Sequence, residues 1–500
     1  MPLLHSTDLL REVDVYRREI SKALDPRRKI ALGQFMTPEP VASFMAGLFK
    51  KRRSGDIRLL DAGAGMGSLT LAFLQRVLKG DFGRDHVTAT AFEVDESLFK
   101  DLGKHIEQFS TSIRNSGNKF NFDGKLEDFI VFVAENNGRI QPNGFTHAIL
   151  NPPYRKIHSE SEHRLLLREM GIETVNLYSA FVELAIMQLA DRGEMVAIIP
   201  RSFCNGPYYR RFRRFLHGNT GIASIHLFES RSKAFKDDEV LQENVILHLI
   251  KGSQLAEVIV SSSMDSTFAD YHERTVGIES VFSPEDKELF LRIPPVLEGP
   301  SIPNSVHLSL VDLSLTVSTG PIVDFRVKPL LRKNASSSDI PLIYPGHFAG
   351  MRVAWPKANF RKYNAVYPDE DIKEELYPKG YYVLVRRFSS KEERRRINAA
   401  VISPVDLLGN SYAFENHLNV FHSKWRGIDE DFAWGLAAYL NSSIVDLHFR
   451  GFNGHTQVNA TDLRQLKYPE ENILKKIGRK MKTSRDTEQV SIDKIVGGAL

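Results

Sequence analysis

Four consecutive residues, Asn151, Pro152, Pro153 and Tyr154, have the clearest chemical character in this 500-residue chain. They end the run 146–150, whose apolar composition is typical of a buried strand. The two prolines stop the strand, because each lacks an N–H group and has a restricted φ. The result is a rigid loop that presents an amide, a backbone carbonyl and an aromatic ring. Uncharged acceptors of this kind suit a planar amino group, and the ring offers a face on which a base can stack.

A glycine-rich turn follows the strand predicted from Ile57 and precedes a helical pattern over 68–78. Asp61 heads this turn, and Gly63 and Gly65 allow its backbone to approach a ligand at the start of the helix. The spacing Gly-x-Gly-x-Gly lacks the ending of a typical dinucleotide fingerprint. An acid at this place disfavours a pyrophosphate and suits a cationic amino-acid moiety.

Two further acids could contact the same ligand. Glu93 follows the strand 87–92, from where a carboxylate can accept hydrogen bonds from both ribose hydroxyls of a ligand. A solvated carboxylate at a strand end is the simpler alternative. Asp128 lies in a third polar turn and could accept from the amino group of a bound adenine, with the adjacent Glu127 as the alternative inward-facing acid.

Composition and charge are those of an ordinary globular protein, with 42% hydrophobic and 26% charged residues. The net charge of +4 permits a polyanionic partner without requiring one. The single cysteine, Cys204, excludes an intrachain disulfide framework and a cysteine-cluster metal site, so no metal is predicted. The chain has no apolar run of membrane-spanning length and no apolar signal core, so we expect no membrane partner and a reducing, cytoplasmic location.

The elements that must position these residues alternate between strand and helix, which predicts an α/β fold with a parallel sheet. The segments 222–229 and 245–251 are expected to be its last two strands, as a hairpin-like pair. The length predicts two domains, and the alternation fades from about Gly252. We therefore predict an N-terminal domain of residues 1–255, which begins with a cap helix, and a C-terminal domain of residues 256–500.

Two segments flank the predicted strand ends. Thr37 and Pro38 suit the N-cap and the first turn of a helix whose apolar period runs over 41–48. The polar stretch 155–173 predicts a mobile loop and helix over the active site. Neither pattern on its own indicates a particular ligand.

Candidate nucleic-acid contacts lie further along the chain. Phe235 falls between the last two predicted strands, where it could stack on a base or make a core contact. Gln457 and Asn459 belong to the glycine- and amide-rich segment 451–459, which can present hydrogen-bonding groups to base edges or phosphates. A structural turn with internally satisfied side chains is the alternative for this segment.

In this order, the motifs resemble those of the gamma-class, TaqI-like adenine-N6 DNA methyltransferases of restriction–modification systems. The resemblance covers residues 30–255, and the segment 454–463 is similar to one in a subgroup that includes the PstI and BsuBI methyltransferases. It implies a Rossmann-like, S-adenosylmethionine-dependent methyltransferase sheet with a C-terminal mixed α/β target-recognition domain. The class usually has a proline and a cysteine where this chain has Ala62 and Ala64, but every glycine and the aspartate of the loop are kept.

The resemblance also implies roles for individual residues. Asn151, Pro152 and Tyr154 would be catalytic. The methyl donor S-adenosylmethionine would be bound by Gln34, Phe35, Thr37, Asp61, Gly63, Gly65, Glu93, Asp128 and Asn151. The DNA substrate would be contacted by Pro153, Tyr154, Phe235, Gln457 and Asn459.

The implied reaction is methyl transfer to the N6 amino group of an adenine flipped out of double-stranded DNA at a specific recognition sequence. The oxygen of Asn151 and the carbonyl of Pro152 would accept the two amino hydrogens. The product would protect bacterial or archaeal DNA from a cognate restriction endonuclease, a functional pairing that needs no physical complex. A monomer is expected, since it suffices for an enzyme that modifies one strand at a time.

Other substrates use a similar Asn-Pro-Pro-Tyr motif, so they remain alternatives. They are the N4 group of cytosine in DNA, guanine in ribosomal RNA and glutamine in release factors. A catalytically inactive DNA-binding module is a further alternative, which the intact Asp61, Glu93 and Asn151 disfavour. A fused nuclease would require a metal-binding carboxylate cluster, for which the sequence offers no convincing candidate.

Overall fold

The computed structural model describes most of the chain and divides it into two compact units, Met1–Leu297 and Glu298–Leu500. Three residues with predicted roles, Gln34, Phe35 and Phe235, lie outside the described residues. The described residues are 6–23, 36–52, 55–82, 86–115, 117, 119–229, 243–283, 285–296, 303–390, 393–405, 407, 409–453 and 456–500.

The centre of the N-terminal unit is a sheet with nine strands among the described residues. These strands are β1 (Ile57–Ala62), β2 (His86–Phe92), β3 (Lys119–Lys125), β4 (Phe145–Leu150), β5 (Leu189–Pro200), β6 (Thr220–Phe228), β7 (Asn244–Lys251), β8 (Glu257–Ser263) and β9 (His272–Gly277). Their order across the sheet is β3-β2-β1-β4-β5-β7-β6-β8-β9. The first five strands are parallel, whereas β7 runs antiparallel to both of its neighbours. The carboxyl ends of β1, β2 and β4 therefore meet at one edge.

Helices accompany this sheet along the chain. They are α1 (Ser6–Ala23), α2 (Glu39–Gly47), α3 (Ser68–Leu78), α4 (Glu96–Asn115), α5 (Phe129–Glu135), α6 (Glu162–Glu169), α7 (Leu177–Gln188), α8 (Arg210–Asn219) and α9 (Ile278–Val281). Successive side chains of a strand point to opposite faces, so Leu60 and Leu150 pack into one core and Leu59 and Ile149 into the other. Burial on both faces explains why apolar residues stand at consecutive positions in the central strands, as in the run Ala148–Leu150 of β4.

The predicted parallel α/β fold is confirmed, including the antiparallel pairing of β6 with β7. The sheet continues past the boundary predicted at residue 255, because β8 pairs with β6 and β9 pairs with β8. The N-terminal compact unit accordingly extends to Leu297. The fading of the strand–helix alternation therefore marks a change of topology within the sheet and precedes the end of the unit.

The C-terminal unit contains short strands followed by helices. Its strands are β10 (Val306–Leu308), β11 (Thr316–Thr319), β12 (Leu331–Arg332), β13 (Ile340–Ile343), β14 (Phe348–Ala349), β15 (Arg352–Val353), β16 (Ala365–Val366), β17 (Tyr377–Pro378), β18 (Tyr382–Arg386), β19 (Ala399–Ile402), β20 (Ser411–Phe414), β21 (Leu418–His422) and β22 (Tyr468–Pro469). The larger sheets have the orders β11-β21-β18-β19-β15-β14 and β12-β16-β13-β20-β17, and β10 pairs with β22. Its helices are α10 (Glu430–Leu440), α11 (Ser443–Phe452), α12 (Ala460–Gln465), α13 (Glu471–Ser484) and α14 (Gln489–Gly497).

Two glycines allow α10 and α13 to cross at close range. A Cβ atom at Gly435 would collide with the backbone oxygen of Leu474, and one at Gly478 would collide with that of Asp431. The helices therefore pack backbone against backbone at this point. Among the described residues of both units, no helix is long and apolar enough to cross a membrane.

Candidate active site

A cavity of about 250 Å³ lies where β1, β2 and β4 end. It contains six of the predicted cofactor residues that the structure describes, while the seventh, Asp61, does not line it. The residues of its wall are Met36, Thr37, Gly63, Ala64, Gly65, Met66, Ser68, Leu69, Phe92, Glu93, Val94, Leu98, Glu127, Asp128, Phe129, Asn151, Pro153, Arg155, His163, Leu177 and Phe181.

The turn after β1 forms the floor of the cavity. Gly63 and Gly65 have φ angles of +79° and +58°, which side-chain-bearing residues rarely adopt. The N–H groups of Gly63 and Ala64 donate to the carbonyl of Phe92 at 2.9 and 2.8 Å, which ties the turn to the end of β2. A Cβ atom on Gly63 would lie 3.9 Å from Pro153, so the turn closely approaches the loop that carries the catalytic candidates.

Glu93 lines the cavity at the end of β2, as predicted for a ribose-binding acid. Its carboxylate accepts hydrogen bonds from the backbone N–H groups of Gly65 at 2.8 Å, Val94 at 2.9 Å and Asp95 at 2.8 Å. Burial raises its pKa, although these N–H groups oppose the shift. The residue therefore couples the glycine turn to the end of β2 in addition to facing the cavity.

Asp61 is fully buried directly beneath the turn. One carboxylate oxygen accepts from the hydroxyl of Thr70 at 2.6 Å, and the other has no hydrogen-bond partner among the described residues. Burial raises the pKa of Asp61 to about 7, with a further contribution from the charge of Glu93. A buried acid with one unpaired oxygen favours a nearby cation.

Asn151 stands at the end of β4 and is held on both sides of its amide. Its Nδ2 donates to the hydroxyl of Thr37 at 3.0 Å, and its Oδ1 accepts from the hydroxyl of Tyr154 at 2.8 Å. The Tyr154 hydroxyl also lies 3.1 Å from the carbonyl of Ile198 on β5. The amide is thus oriented with its oxygen on the Tyr154 side before any substrate arrives.

The rest of the tetrapeptide is arranged around this amide. Pro152 is buried and Pro153 lines the cavity. The ring of Tyr154 packs edge-on against Tyr178, with centroids 6.4 Å apart. Burial raises the pKa of the Tyr154 phenol, so it stays protonated and acts as a hydrogen-bond donor.

Thr37 differs from its predicted local role. The helix α2 begins at Glu39 with Pro38 as its N-cap residue, so Thr37 does not cap it. The carboxylate of Asp14 on α1 accepts from the N–H of Glu39 at 3.1 Å instead. This leaves the hydroxyl of Thr37 to hold Asn151, a link across 114 residues that no local rule reveals.

Asp128 is the N-cap of α5 as well as a wall residue. Its Oδ1 accepts from the N–H groups of Ile130 at 2.9 Å and Val131 at 3.2 Å, and its Oδ2 lies 3.0 Å from Nε2 of His163. Glu127 lines the cavity too, so both acids of the predicted pair face it.

Sequence reasoning missed several wall residues. His163 and Arg155 come from the stretch that follows the tetrapeptide, and Phe181 comes from α7. Arg155 directly follows Tyr154 in the sequence, and this position could have indicated that it lies at the cavity. No local signal marks His163, which lies 35 residues from its partner Asp128.

Gln457 and Asn459 belong to the C-terminal unit, where the structure describes the segment from Thr456 onward. The backbone of this segment is held from inside the unit. Asn453 Nδ2 donates to the carbonyl of Gln457 at 2.9 Å, and the N–H of Asn459 donates to Asp462 at 2.9 Å. The side chains of Gln457 and Asn459 are half-buried. Asn459 is also the N-cap residue of α12 and forms a capping box with Asp462, so its amide serves the start of this helix.

The chain is similar in sequence to one protein family and to individual type II methyltransferases. The model of the Eco57I restriction-modification methylase family matches residues 65–235. The type II methyltransferase M.BsuBI of Bacillus subtilis is 46% identical over 497 residues, which cover 97% of each chain. The type II methyltransferase M.PstI of Providencia stuartii is 39% identical over 498 residues, covering 98% of this chain and 96% of that relative.

Two solved structures share the fold at low sequence identity. The type IIL restriction-modification enzyme MmeI in complex with DNA superposes with a TM-score of 0.52 at 11% identity, covering 99% of this chain and 73% of that one. The DrdV–DNA complex gives a TM-score of 0.51 at 12% identity, covering 94% and 59%. At these identities the likeness concerns the fold alone.

The sheet, the cavity at its carboxyl edge and the relatives define the class of an S-adenosylmethionine-dependent DNA methyltransferase. Within that class, the chain belongs to the PstI/BsuBI group of type II restriction–modification methyltransferases.

The residues of the cavity fit this methyl donor. Apolar walls such as Phe129 and Phe181 suit an adenine ring, and the carboxylates of Glu93 and Asp128 suit hydroxyl and amino donors. The unpaired oxygen of Asp61 is an orphaned buried acceptor close beneath the turn. S-adenosylmethionine carries an adenine, ribose hydroxyls and a cationic amino-acid end, and these side chains have the chemistry to bind them.

Proposed function

We propose that this enzyme methylates the N6 amino group of an adenine that has rotated out of double-stranded DNA. The observation that carries the proposal is the Asn151 amide, anchored by Thr37 and Tyr154 on a rigid loop beside the donor cavity. An amide oxygen and a neighbouring carbonyl are uncharged acceptors, as a planar amino group requires. Neither group has to remove a proton before the nitrogen attacks. The methylated nitrogen then loses one of its two hydrogens as a proton, which leaves the neutral N6-methylamino group.

S-adenosylmethionine supplies an electrophilic methyl group when it is bound. The chain's own contribution is to make the amino nitrogen nucleophilic, because its lone pair is delocalised into the purine at rest. Asn151 Oδ1 and the carbonyl of Pro152 accept the two amino hydrogens, which draws the nitrogen towards tetrahedral geometry and localises the pair. Placement and electrostatic complementarity then account for the rate.

The target base is held by aromatic and proline side chains. Rotation out of the duplex costs a few kcal/mol in lost stacking and pairing. Tyr154 and Pro153 would contact the ring from the tetrapeptide side, and Phe235 would stack on it. The Tyr154 hydroxyl already contacts Asn151 Oδ1, so an arriving amino group would share that oxygen with it.

The donor side uses the remaining residues of the cavity. Glu93 would accept from the ribose hydroxyls, Asp128 would accept from the adenine amino group, and Asp61 would stabilise the cationic amino-acid end. Gly63 and Gly65 admit the ligand close to the backbone. Gln34, Phe35 and Thr37 are also assigned to binding of the methyl donor.

The C-terminal unit would recognise the DNA sequence. Gln457 and Asn459 are assigned to base edges or phosphates, because they are partly accessible amides on an internally fixed loop. We infer that the monomeric enzyme protects cytoplasmic DNA from a cognate restriction endonuclease. The division of the chain into compact units after Leu297 supports a separate recognition function for the residues that follow.

The decisive experiment expresses the gene in a host free of DNA methylation and sequences the genomic DNA with modification detection. N6-methyladenine at a single motif is expected, and an Asn151→Ala variant should leave the same DNA unmodified. N4-methylcytosine at one motif would show that the target base is cytosine and not adenine. Unmodified DNA together with methylated ribosomal RNA or release factor would reject DNA as the substrate.

A further inference from the structure

The carboxylate of Asp128 is oriented from two directions. Its Oδ1 is committed to the N-terminus of α5, where it accepts from Ile130 and Val131. Its Oδ2 is approached by Nε2 of His163 at 3.0 Å. Because Oδ1 faces the helix, Oδ2 is the oxygen that contacts His163 and can face a ligand in the cavity.

His163 lies in the stretch 155–173, which was predicted to be a mobile loop and helix; the structure has the helix and ties the stretch to the fold by backbone hydrogen bonds. The base of this segment is closed by the N–H of Ile157, which donates to Val175 at 2.9 Å, and by the N–H of Leu177, which donates to Arg155 at 2.8 Å. The helix α6 starts at a Ser161 cap, and its Leu167 is fully buried in the core. The histidine is thus the second residue of an anchored helix.

The charges around the pair favour the contact. The hydrogen bond and charge of Asp128 raise the pKa of His163 against its partial burial, with Glu162 adding to the rise and Arg155 opposing it. Burial acts to raise the pKa of Asp128, but the contact with His163 and the two N–H groups lowers it overall. The carboxylate therefore stays ionised and remains an acceptor.

We propose that His163 is a positioning residue of the methyl-donor site, which holds Oδ2 of Asp128 in the orientation that accepts the amino group of the cofactor's adenine. This rests on the role proposed above for Asp128. Both side chains line the same cavity, so the contact lies at the ligand surface and not in the surrounding scaffold. A histidine with a purely structural role would tie α6 to α5 without affecting which purine the site prefers.

The test measures purine preference in the full-length protein. Calorimetry gives the Kd of S-adenosylmethionine and of its inosine analogue, whose 6-oxo group cannot donate to Asp128. His163→Phe keeps the ring but loses the donor, and we expect it to reduce the preference for the adenine form about tenfold. His163→Gln places an uncharged donor near the Nε2 position and should restore the preference to within about threefold.

Controls separate positioning from general damage. His158→Phe changes an exposed histidine of the same segment that does not line the cavity, and it should leave both Kd values unchanged. Asp128→Asn alone should abolish the preference for S-adenosylmethionine over its inosine analogue. The double variant with His163→Phe should then show the same ratio of Kd values as Asp128→Asn. If His163→Phe does not fold, His163→Asn replaces it, since its shorter side chain does not reach Asp128.

The outcomes are distinct. A folded His163→Phe protein with the wild-type preference would overturn the proposal, and so would a His163→Gln protein that behaves like the phenylalanine variant. Binding assays without DNA do not depend on the target base. Failure of adenine-N6 methylation in the host would therefore reject the proposed function and leave the role of His163 intact. An unchanged purine preference in His163→Phe would reject the role of His163 and leave the proposed function intact.

Discussion

The donor cavity of the N-terminal unit and the segment 456–459 of the C-terminal unit use their polar residues in different ways. In the cavity, side chains such as Glu93, Asp128 and Asn151 face a common space from the ends of parallel strands and nearby turns. In the segment, backbone groups are paired inside the unit while the amide side chains are half-buried. A parallel sheet collects its strand ends at one edge, so sequence position predicts proximity there. In the mixed sheets of the C-terminal unit, the strands are short and run in both directions, so sequence position does not predict which side chains lie close together.

The largest expected effect is at Asn151. Asn151→Ala removes the acceptor for the amino group and should lower methyl transfer about 10²–10³-fold, as for the loss of one preorganised polar group in other active sites. The affinity for S-adenosylmethionine should stay within a few-fold, as calorimetry can measure. Asn121→Ala, at an exposed position on β3, is the matched control. Retained activity in Asn151→Ala would separate the tetrapeptide from the chemistry.

The next effect is at Asp61. Its pKa of about 7 means that the carboxyl is charged above neutral pH and protonated below it. Because only the charged form attracts the cationic donor, affinity should fall about tenfold between pH 8 and pH 6. Asp61→Asn should bind as weakly at pH 8 as the wild type does at low pH, with a flat profile. A variant with the wild-type profile would assign the pH dependence to another group.

A moderate effect is expected in the C-terminal segment. Gln457→Ala and Asn459→Ala should each relax base discrimination at one position of the recognition sequence by about tenfold. Methylation sequencing of the host DNA would reveal the added sites, and Asn334→Ala, exposed in the same unit, should add none. Unchanged discrimination with lowered thermal stability would mean that these amides only stabilise the loop. In that case the segment 456–459 would have only a structural role, in contrast to the donor cavity.

The smallest effect is at Thr37. Its hydroxyl accepts one hydrogen bond from Asn151, and the loss of a neutral bond costs about 1 kcal/mol. Thr37→Ala should therefore lower kcat about fivefold, and Thr37→Ser should restore it. Single-turnover rates at saturating donor would measure this. If serine fails to rescue, the methyl group of Thr37 matters more than its hydroxyl.

Much of the N-terminal unit was predictable from short patterns. The run before Asn151 is a buried strand, the glycine turn follows β1, and Glu93 ends β2. Asp128 was predicted to face a ligand, but its second task as the N-cap of α5 was not recognised. Thr37 was assigned to a helix cap on local grounds, whereas Asp14 supplies the acceptor at that helix start. A local rule could not identify an acceptor that lies 25 residues away.

The sequence by itself determined which residues end the strands of the parallel sheet, and therefore which side chains gather at its edge. Prolines, glycines and apolar runs act over a few residues, so their consequences can be worked out without coordinates. Only the tertiary structure decided that Thr37 holds Asn151, that His163 reaches Asp128, and that the sheet continues past residue 255. These contacts join residues far apart in the chain, and they depend on how the helices and strands pack.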